Sequence, residues 1–300
     1  MTGRLLQNPF LWRMCNYVSF DTNKAFRYLI KNAATSDNMR ELHEQYSLWR
    51  ENEPGRYMQK PVQSELQRFF SPGIENAKLP ALLKGAGGPR LAQLKWGFIP
   101  NWRSDRPKDD PLKAVDRARK ALDIGRKTWN AASETMFEDE KPTWRDSAHD
   151  RRCVILLEGF FVMHYQDDET YPIYITLKDF EPLPVAGLWD VATINDKEYL
   201  TCAIVTQEAN EKMHEINNGG ERPHTMPIIL NPENFDQWLE PIDQGDYDKI
   251  DKISELITAP SNRELEYISV VKNSEGSVDN SQLAQDFFEY KELKLDLKGL

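Results

Sequence analysis

The chain has 300 residues, with 38 basic and 48 acidic side chains, a net charge of −10, and 40% hydrophobic content. That apolar content supports a sizeable core in one large domain or two small ones, and no apolar run reaches the length of a membrane span. Three widely spaced cysteines, Cys15, Cys153 and Cys202, argue against a disulfide framework and for a reducing, cytoplasmic setting.

In chain order, residues 1–13 read as a leader or an over-extended start. They lack the continuous apolar stretch and small-residue cleavage site of a secretory signal. Asn23 to Asn32 and Asn38 to Trp49 have apolar residues spaced by three and four, which predicts two helices. Pro54-Gly55 breaks that pattern. Leu79 to Leu83 and Leu91 to Trp96 read as two strands joined by a turn at Gly85 to Pro89. Pro111 to Arg126 reads as a basic helix. Five segments rich in β-branched and aromatic residues follow: Cys153 to Leu157, Phe160 to Tyr165, Tyr171 to Leu177, Leu183 to Asp190 and Tyr199 to Thr206. A helix is expected at Glu208 to Ile216, a strand at Met226 to Leu230, a helix from Pro232 to Leu239 and a last strand at Tyr267 to Val271. Asn280 to Lys298 reads as an amphipathic terminal helix or a frayed tail. Strands grouped mid-chain with helices around them indicate an α+β fold.

The charge is unevenly distributed. Residues 231–300 hold sixteen acidic and seven basic side chains, which leaves the first 230 nearly neutral. Between Lys95 and Arg152 basic residues outnumber acidic ones 14 to 11. This excess allows a local basic surface but fits a solvated helix of mixed charge equally well.

Several chemistries find no support. Gly85-Ala86-Gly87-Gly88 lacks the spacing and the Lys-Ser/Thr of a phosphate loop. There is no Cys-x-x-Cys or His-Glu-x-x-His pair for zinc, and no Gly-x-Ser-x-Gly elbow. The acidic stretch Asp243 to Asp251 does not match a calcium loop. No cofactor or metal is expected.

A set of ordered motifs remains. It comprises Met14-Cys15-Asn16-Tyr17-Val18-Ser19, Trp96-Gly97-Phe98-Ile99-Pro100-Asn101-Trp102, Asn130-Ala131-Ala132-Ser133-Glu134-Thr135, Arg152-Cys153-Val154 running to Glu158-Gly159-Phe160-Phe161, Ala186-Gly187-Leu188-Trp189, and Met226-Pro227-Ile228-Ile229-Leu230. With these motifs the chain resembles the SRAP family (SOS response-associated peptidases, abasic site processing proteins). The resemblance implies a curved, mostly antiparallel β-sheet or barrel-like core with flanking helices over about residues 14–273, followed by an acidic tail at 274–300. It also implies a DNA-damage role: binding single-stranded DNA and cross-linking abasic sites covalently through a cysteine at the mature amino terminus. Peptidase or lyase labels and a cytoplasmic location, nucleoid-associated in a bacterium, come with the family.

The same resemblance assigns residues. Cys15 takes the nucleophile position, with thirteen residues ahead of Met14. Its amine would be freed by translation from Met14 and methionine removal, or by loss of a propeptide. Asn130 matches the family asparagine. The family glutamate falls at Val162, the histidine at Asn217, and two phosphate-binding arginines at Ala132 and Thr225. Valine offers no proton, and alanine cannot make the bidentate clamp of an arginine. Glu158 precedes Val162 on the same strand face, about 13 Å away at strand rise, and does not replace it. His214 lies one helical turn before Asn217 and can present its ring to the same pocket; His224 is also close in sequence. Trp102 can stack on a nucleobase, and Thr206 begins the helix leading to Asn217. Two readings stay open: an active SRAP protein using Cys15, and a degenerate paralogue that binds DNA or protein through the fold alone. In the second, the acidic final region faces a protein partner.

Overall fold

A computed structural model describes residues 17–85, 87–103, 111–138, 143–219, 222–243, 245–257, 265–274 and 276–297. The expectations for residues 1–13 and for Cys15 lie outside the described residues. In chain order the elements are β1 (Tyr17–Asp21), α1 (Thr22–Lys31), α2 (Ser36–Arg50), β2 (Gln67–Pro72), β3 (Lys78–Gly85), β4 (Gly88–Trp96), α3 (Pro111–Gly125) and β5 (Asn130–Ala132). They continue with α4 (Arg145–Asp150), β6 (Arg152–Leu157), β7 (Gly159–Gln166), β8 (Glu169–Leu177), β9 (Leu183–Ile194) and β10 (Lys197–Glu208). The chain ends with α5 (Glu211–Ile216), β11 (Thr225–Pro227), α6 (Phe235–Leu239), α7 (Tyr247–Leu256) and β12 (Leu265–Ser269). This is an α+β fold. No helix among the described residues is long and apolar enough to cross a membrane.

Local chemistry sets the boundaries. Asp21 and Thr35 cap α1 and α2 by accepting the amides of Lys24 and Asn38. Asp167-Asp168 turns β7 into β8, and Asn195-Asp196 turns β9 into β10; all four residues have positive φ. Two such residues in a row make the tight turn whose twist matches paired strands, and Asn and Asp tolerate it.

Two sheets share the strands. One runs β12-β8-β7-β1-β2, and the other runs β11-β10-β4-β3-β6-β9. In the second, β9 also pairs with β10 over eight residue pairs. That pairing closes β3, β4, β10, β9 and β6 into a ring. Parallel pairing is confined to β10 with β4 and with β5. The inward set of the ring includes Leu79, Leu94, Ile155 and Ile204, and it packs with Val18, Phe160, Val162 and Ile173 of the first sheet. The outward set, including Leu91, Val154 and Val205, is covered by Phe26, Trp49 and Trp238 of α1, α2 and α6. Strand alternation sorts the residues between the two clusters.

Buried polar groups are matched at the joints. Trp96 donates its indole N–H to Trp129 O at 2.9 Å, and Trp238 donates to Cys153 O at 2.9 Å. Arg152 is 3% exposed. Its guanidinium donates to Trp238 O at 2.6 Å, to His149 O at 3.1 Å, and to the carbonyls of Ala148 and Glu240. One side chain thus ties the ends of α4 and α6 to β6. Burial lowers its pKa to about 10.

Three expectations are corrected. The helix expected from Glu208 starts at Glu211, because β10 continues to Glu208 and Asn210 provides the cap. The strand expected at Met226 to Leu230 is only Thr225–Pro227 plus a bridge from Ile229 to Val185, since Pro227 has no amide to extend the ladder. The terminal helix is absent. Among residues 276–297 there is one 3-10 helix, Gln282–Gln285, and the rest is bends, turns and irregular backbone lying against the first sheet. Asn280 accepts the amides of Phe69 and Phe70, the Phe288 amide donates to Ser269 O, and Leu293, Leu295 and Leu297 pack against the inner cluster.

Candidate functional site

The site residues converge on the last turn-facing stretch of β10. Thr206 stands opposite Ala132 of β5 on one side and opposite Pro227 of β11 on the other. Asn130 faces Ile204 in the same parallel ladder, and Thr225 faces Glu208. Thr206 does not open a helix. It is 3% exposed, and its hydroxyl donates to Ala131 O at 3.4 Å. The side chain therefore holds β5 in register.

Asn217 follows α5 and is fully buried. Its amide N–H₂ donates to Thr225 O at 2.8 Å, and its backbone carbonyl accepts His224 N at 2.8 Å. The side-chain carbonyl oxygen is buried without a hydrogen-bond partner. The half-buried Thr225 hydroxyl donates to Arg222 O at 3.3 Å. The Asn217 amide nitrogen and the Thr225 hydroxyl are thus both engaged with backbone carbonyls.

Val162 is 1% exposed and pairs with Ile173 inside the inner cluster. Glu158 sits at the β6–β7 junction, 3.4 Å from Lys24, with its backbone held by Ser19 and Thr176. It is engaged there and does not stand in for a glutamate at 162.

Sequence reasoning overlooked one titratable group. His164 is two residues beyond Val162, on the same face of β7, and is 7% exposed. Its Nδ1 lies 3.1 Å from Ile216 O. A carbonyl only accepts, so the contact requires the proton on Nδ1 and leaves Nε2 as the basic nitrogen of the neutral ring. The next residue, Tyr165, exchanges two 2.9 Å hydrogen bonds with the side chain of Asn218. Separate hydrogen bonds and strand pairings link these pieces in steps: His164 to Ile216, Tyr165 to Asn218, Asn217 to Thr225, β11 to β10, and β10 to β5. Strand period two, counted from Val162, is the signal that points to His164.

The other candidates lie apart. His214 is exposed and stacks on His224, with ring centroids 3.6 Å apart and planes within 11°. It does not turn toward Asn217. His224 reaches this position through a left-handed backbone, φ 62°. Trp102 is 39% exposed. Its loop is fixed by Gly97 N to Cys202 O, Ile99 N to the Thr201 hydroxyl and Asn101 N to the Asp190 carboxylate at 2.7 Å. Burial raises the Asp190 pKa, opposed by Arg151 and the backbone donors. Thr201 is five residues before Thr206, about 17 Å along the strand. Cys153 and Cys202 are fully buried, and burial pushes both thiols up, so neither is a nucleophile. No cluster of three potential metal ligands occurs among the described residues.

Comparison with known proteins follows this geometry. The family model described as SOS response associated peptidase (SRAP) matches residues 14–274. The abasic site processing protein YoqW of Bacillus subtilis is 29% identical over 202 residues, 62% of this chain and 80% of that protein. YoaM of the same organism is 28% identical over 229 residues, 69% and 90%. The abasic site processing protein HMCES of Xenopus tropicalis is 26% identical over 182 residues, 60% and 48%. A crystal structure of a Bacteroides thetaiotaomicron protein superimposes with TM-score 0.65 at 21% identity, covering 92% of this chain and all of that one. One from Bordetella bronchiseptica gives 0.57 at 16% identity over 86% of this chain and all of that one.

Proposed function

Because this chain belongs to the SOS response associated peptidase (SRAP) family, we propose that it processes abasic sites in DNA, capturing the lesion in single-stranded DNA through Cys15. The supporting observation is the set of hydrogen bonds and strand pairings that ties His164 to Ile216, Asn217 to Thr225, and both β11 and β5 to the end of β10. Tyr17 of β1 pairs with Phe161, the neighbour of Val162. Cys15 is two residues earlier in the chain, at most about 7 Å of backbone away.

A cysteine at a free amino terminus offers two nucleophiles. The α-amine adds to the aldehyde of the ring-opened sugar and loses water to give an imine. The thiol then adds to the imine carbon and closes a five-membered thiazolidine. Water leaves, and protons move between nitrogen, oxygen and sulfur. With Val162 and Asn217 unable to carry them, His164 Nε2 is the protein group suited to do so. Asn130 offers an amide donor and acceptor to the ligand, Trp102 offers a stacking face, and Thr206 positions β5. Ala132 and Thr225 leave the phosphates without arginine clamps. The outcome is capture of a lesion without rapid turnover, in the compartment that holds the DNA.

A second reading has its own observation. Val162 and Asn217 are both absorbed into core packing and backbone hydrogen bonds, as in a scaffold that has kept the fold and lost the reaction. One experiment separates the two. Protein begun at Met14, its amino terminus verified as Cys15, is incubated with single-stranded DNA carrying one abasic site and run on a denaturing gel beside Cys15→Ser. A cysteine-dependent adduct is expected. Folded protein that leaves the DNA unmodified overturns the capture reading in favour of the scaffold.

A further inference from the structure

A cluster of basic side chains lies on the outer wall of the barrel, on the opposite face of β10 from Thr206. Lys197 and Tyr199 share that outward face near the start of β10, and Lys95 of β4 reaches them from the adjacent strand, where Lys95 pairs with Thr201. The Lys95 ammonium is 5.6 Å from the Tyr199 ring centroid, and that of Lys197 is 5.3 Å. Arg126 and Lys127, both exposed, follow the end of α3, which packs on this wall through Ala118 and Ala121 with Tyr199 alongside.

Most described cations of this acidic chain are paired with a carboxylate. Arg56 takes Glu198 at 3.0 Å, Lys78 takes Glu65, and Arg119 and Lys120 share Asp116. Lys95 and Lys197 form no ion pair among the described residues. Arg126 has one distant partner, Asp123 at 3.7 Å. Asp196, beside Lys197, is exposed. The Lys95 ammonium is held below its usual pKa, first by burial and then by Arg126 and Lys197. The local field is therefore positive despite a net charge of −10. The carboxyl end of α3 explains only part of this gathering, since a helix terminus carries about half a charge against three cations.

We propose that Lys95 and Lys197 over Tyr199, with Arg126 near Lys95, form a second docking site for the sugar–phosphate backbone of single-stranded DNA. The site lies seven residues, roughly 23 Å, along β10 from Thr206. The proposal rests on the DNA reading above and adds to it a path. The strand leaves the mouth of the barrel and runs down its outer wall, with phosphates on the lysines and Tyr199 offering the aromatic surface that accompanies such grooves. It also supplies, away from the lesion, the phosphate contacts that Ala132 and Thr225 cannot make. Chain length is therefore the discriminating variable. An oligonucleotide of about four nucleotides fits the lesion site alone, whereas one of about twenty reaches both.

The test uses the full chain begun at Met14 and the double variant Lys95→Gln/Lys197→Gln. Lys197 is exposed and Lys95 half-buried, and an unchanged thermal transition verifies the fold. Anisotropy with undamaged single-stranded DNA of about twenty nucleotides is measured across a salt series. Two lost phosphate contacts predict about tenfold weaker binding at about 0.1 M salt, and a log–log salt slope shallower by about 1.4. Lys95→Arg/Lys197→Arg restores both quantities. Cross-linking of the short abasic oligonucleotide is unchanged in either variant. Equal affinity and slope in wild type and the glutamine variant overturn the proposal, as does a wild type that does not bind the long strand. Cross-linking with patch-independent affinity removes this proposal alone. Patch-dependent binding without cross-linking supports it and removes the Cys15 chemistry instead.

Discussion

Returning a glutamate to position 162 tests whether that position belongs to a site or to the core. Val162 is 1% exposed, paired with Ile173, and packed among Phe160, Met213 and Ile216. Val162→Glu forfeits about 1.5 kcal/mol of apolar burial. It also places a carboxyl group inside an apolar cluster, which costs about 2–3 kcal/mol even when protonated. For a chain of this size, about 4 kcal/mol lowers Tm by roughly 8–12 °C. The loss depends on pH. Burial raises the folded-state pKa of the new carboxyl above its unfolded value of about 4.3. Above that unfolded value the unfolded chain releases the proton first, so the variant weakens further as pH rises from about 4 toward the folded pKa. Calorimetry at about pH 4.5 and 7.5, with Val162→Thr as a control of similar shape, reads both effects. If Val162→Glu melts within about 2 °C of wild type at both pH values, then water or a cation reaches the position, and its assignment to the core is wrong.

Other perturbations separate chemistry from scaffold. His164→Gln, which can still donate to Ile216 O, is expected to slow adduct formation by about a hundredfold while leaving Tm and DNA affinity close to wild type; single-turnover gel kinetics read this. Arg152→Lys keeps the charge but cannot serve four carbonyls, so chemical denaturation should show a loss of about 2–4 kcal/mol. Truncation after Ser274 strips Asn280 from the β2 amides and Tyr290 from Tyr171; proteolysis and a lowered Tm should report loosening of the first sheet even though the truncated residues lie beyond the family match.

Much of the fold was legible because strands with one buried face alternate strongly. The β3–β4 and β7–β8 hairpins followed from that alternation and from turn-forming residues. β5 was not legible as a strand, because three residues, Asn130 to Ala132, become one only by lying parallel to β10. The tail was misread for a related reason. Leu293, Leu295 and Leu297 repeat every two residues, which is an extended pattern, yet the acidic spacing around them suggests a helix. Asn130, Ala132 and Thr225 of the motifs lie on strands that pair with the end of β10. Replacement groups were sought beside Asn217 in sequence, where His214 turns to His224. The histidine bonded to Ile216 O arrives instead from β7, through a pairing that local sequence does not encode.

The place of β1 has a consequence for how the protein is made. The strand lies between β2 and β7, and Ser19 meets Gly159, 140 positions later in the chain. At a ribosomal pace of about 5–20 residues per second, one flank of β1 therefore stays vacant for roughly 7–30 s after it emerges. During that interval β1 is held by β2 alone. Once β7 arrives, the first sheet closes over β1, so closure of this sheet waits until more than half of the chain has been made.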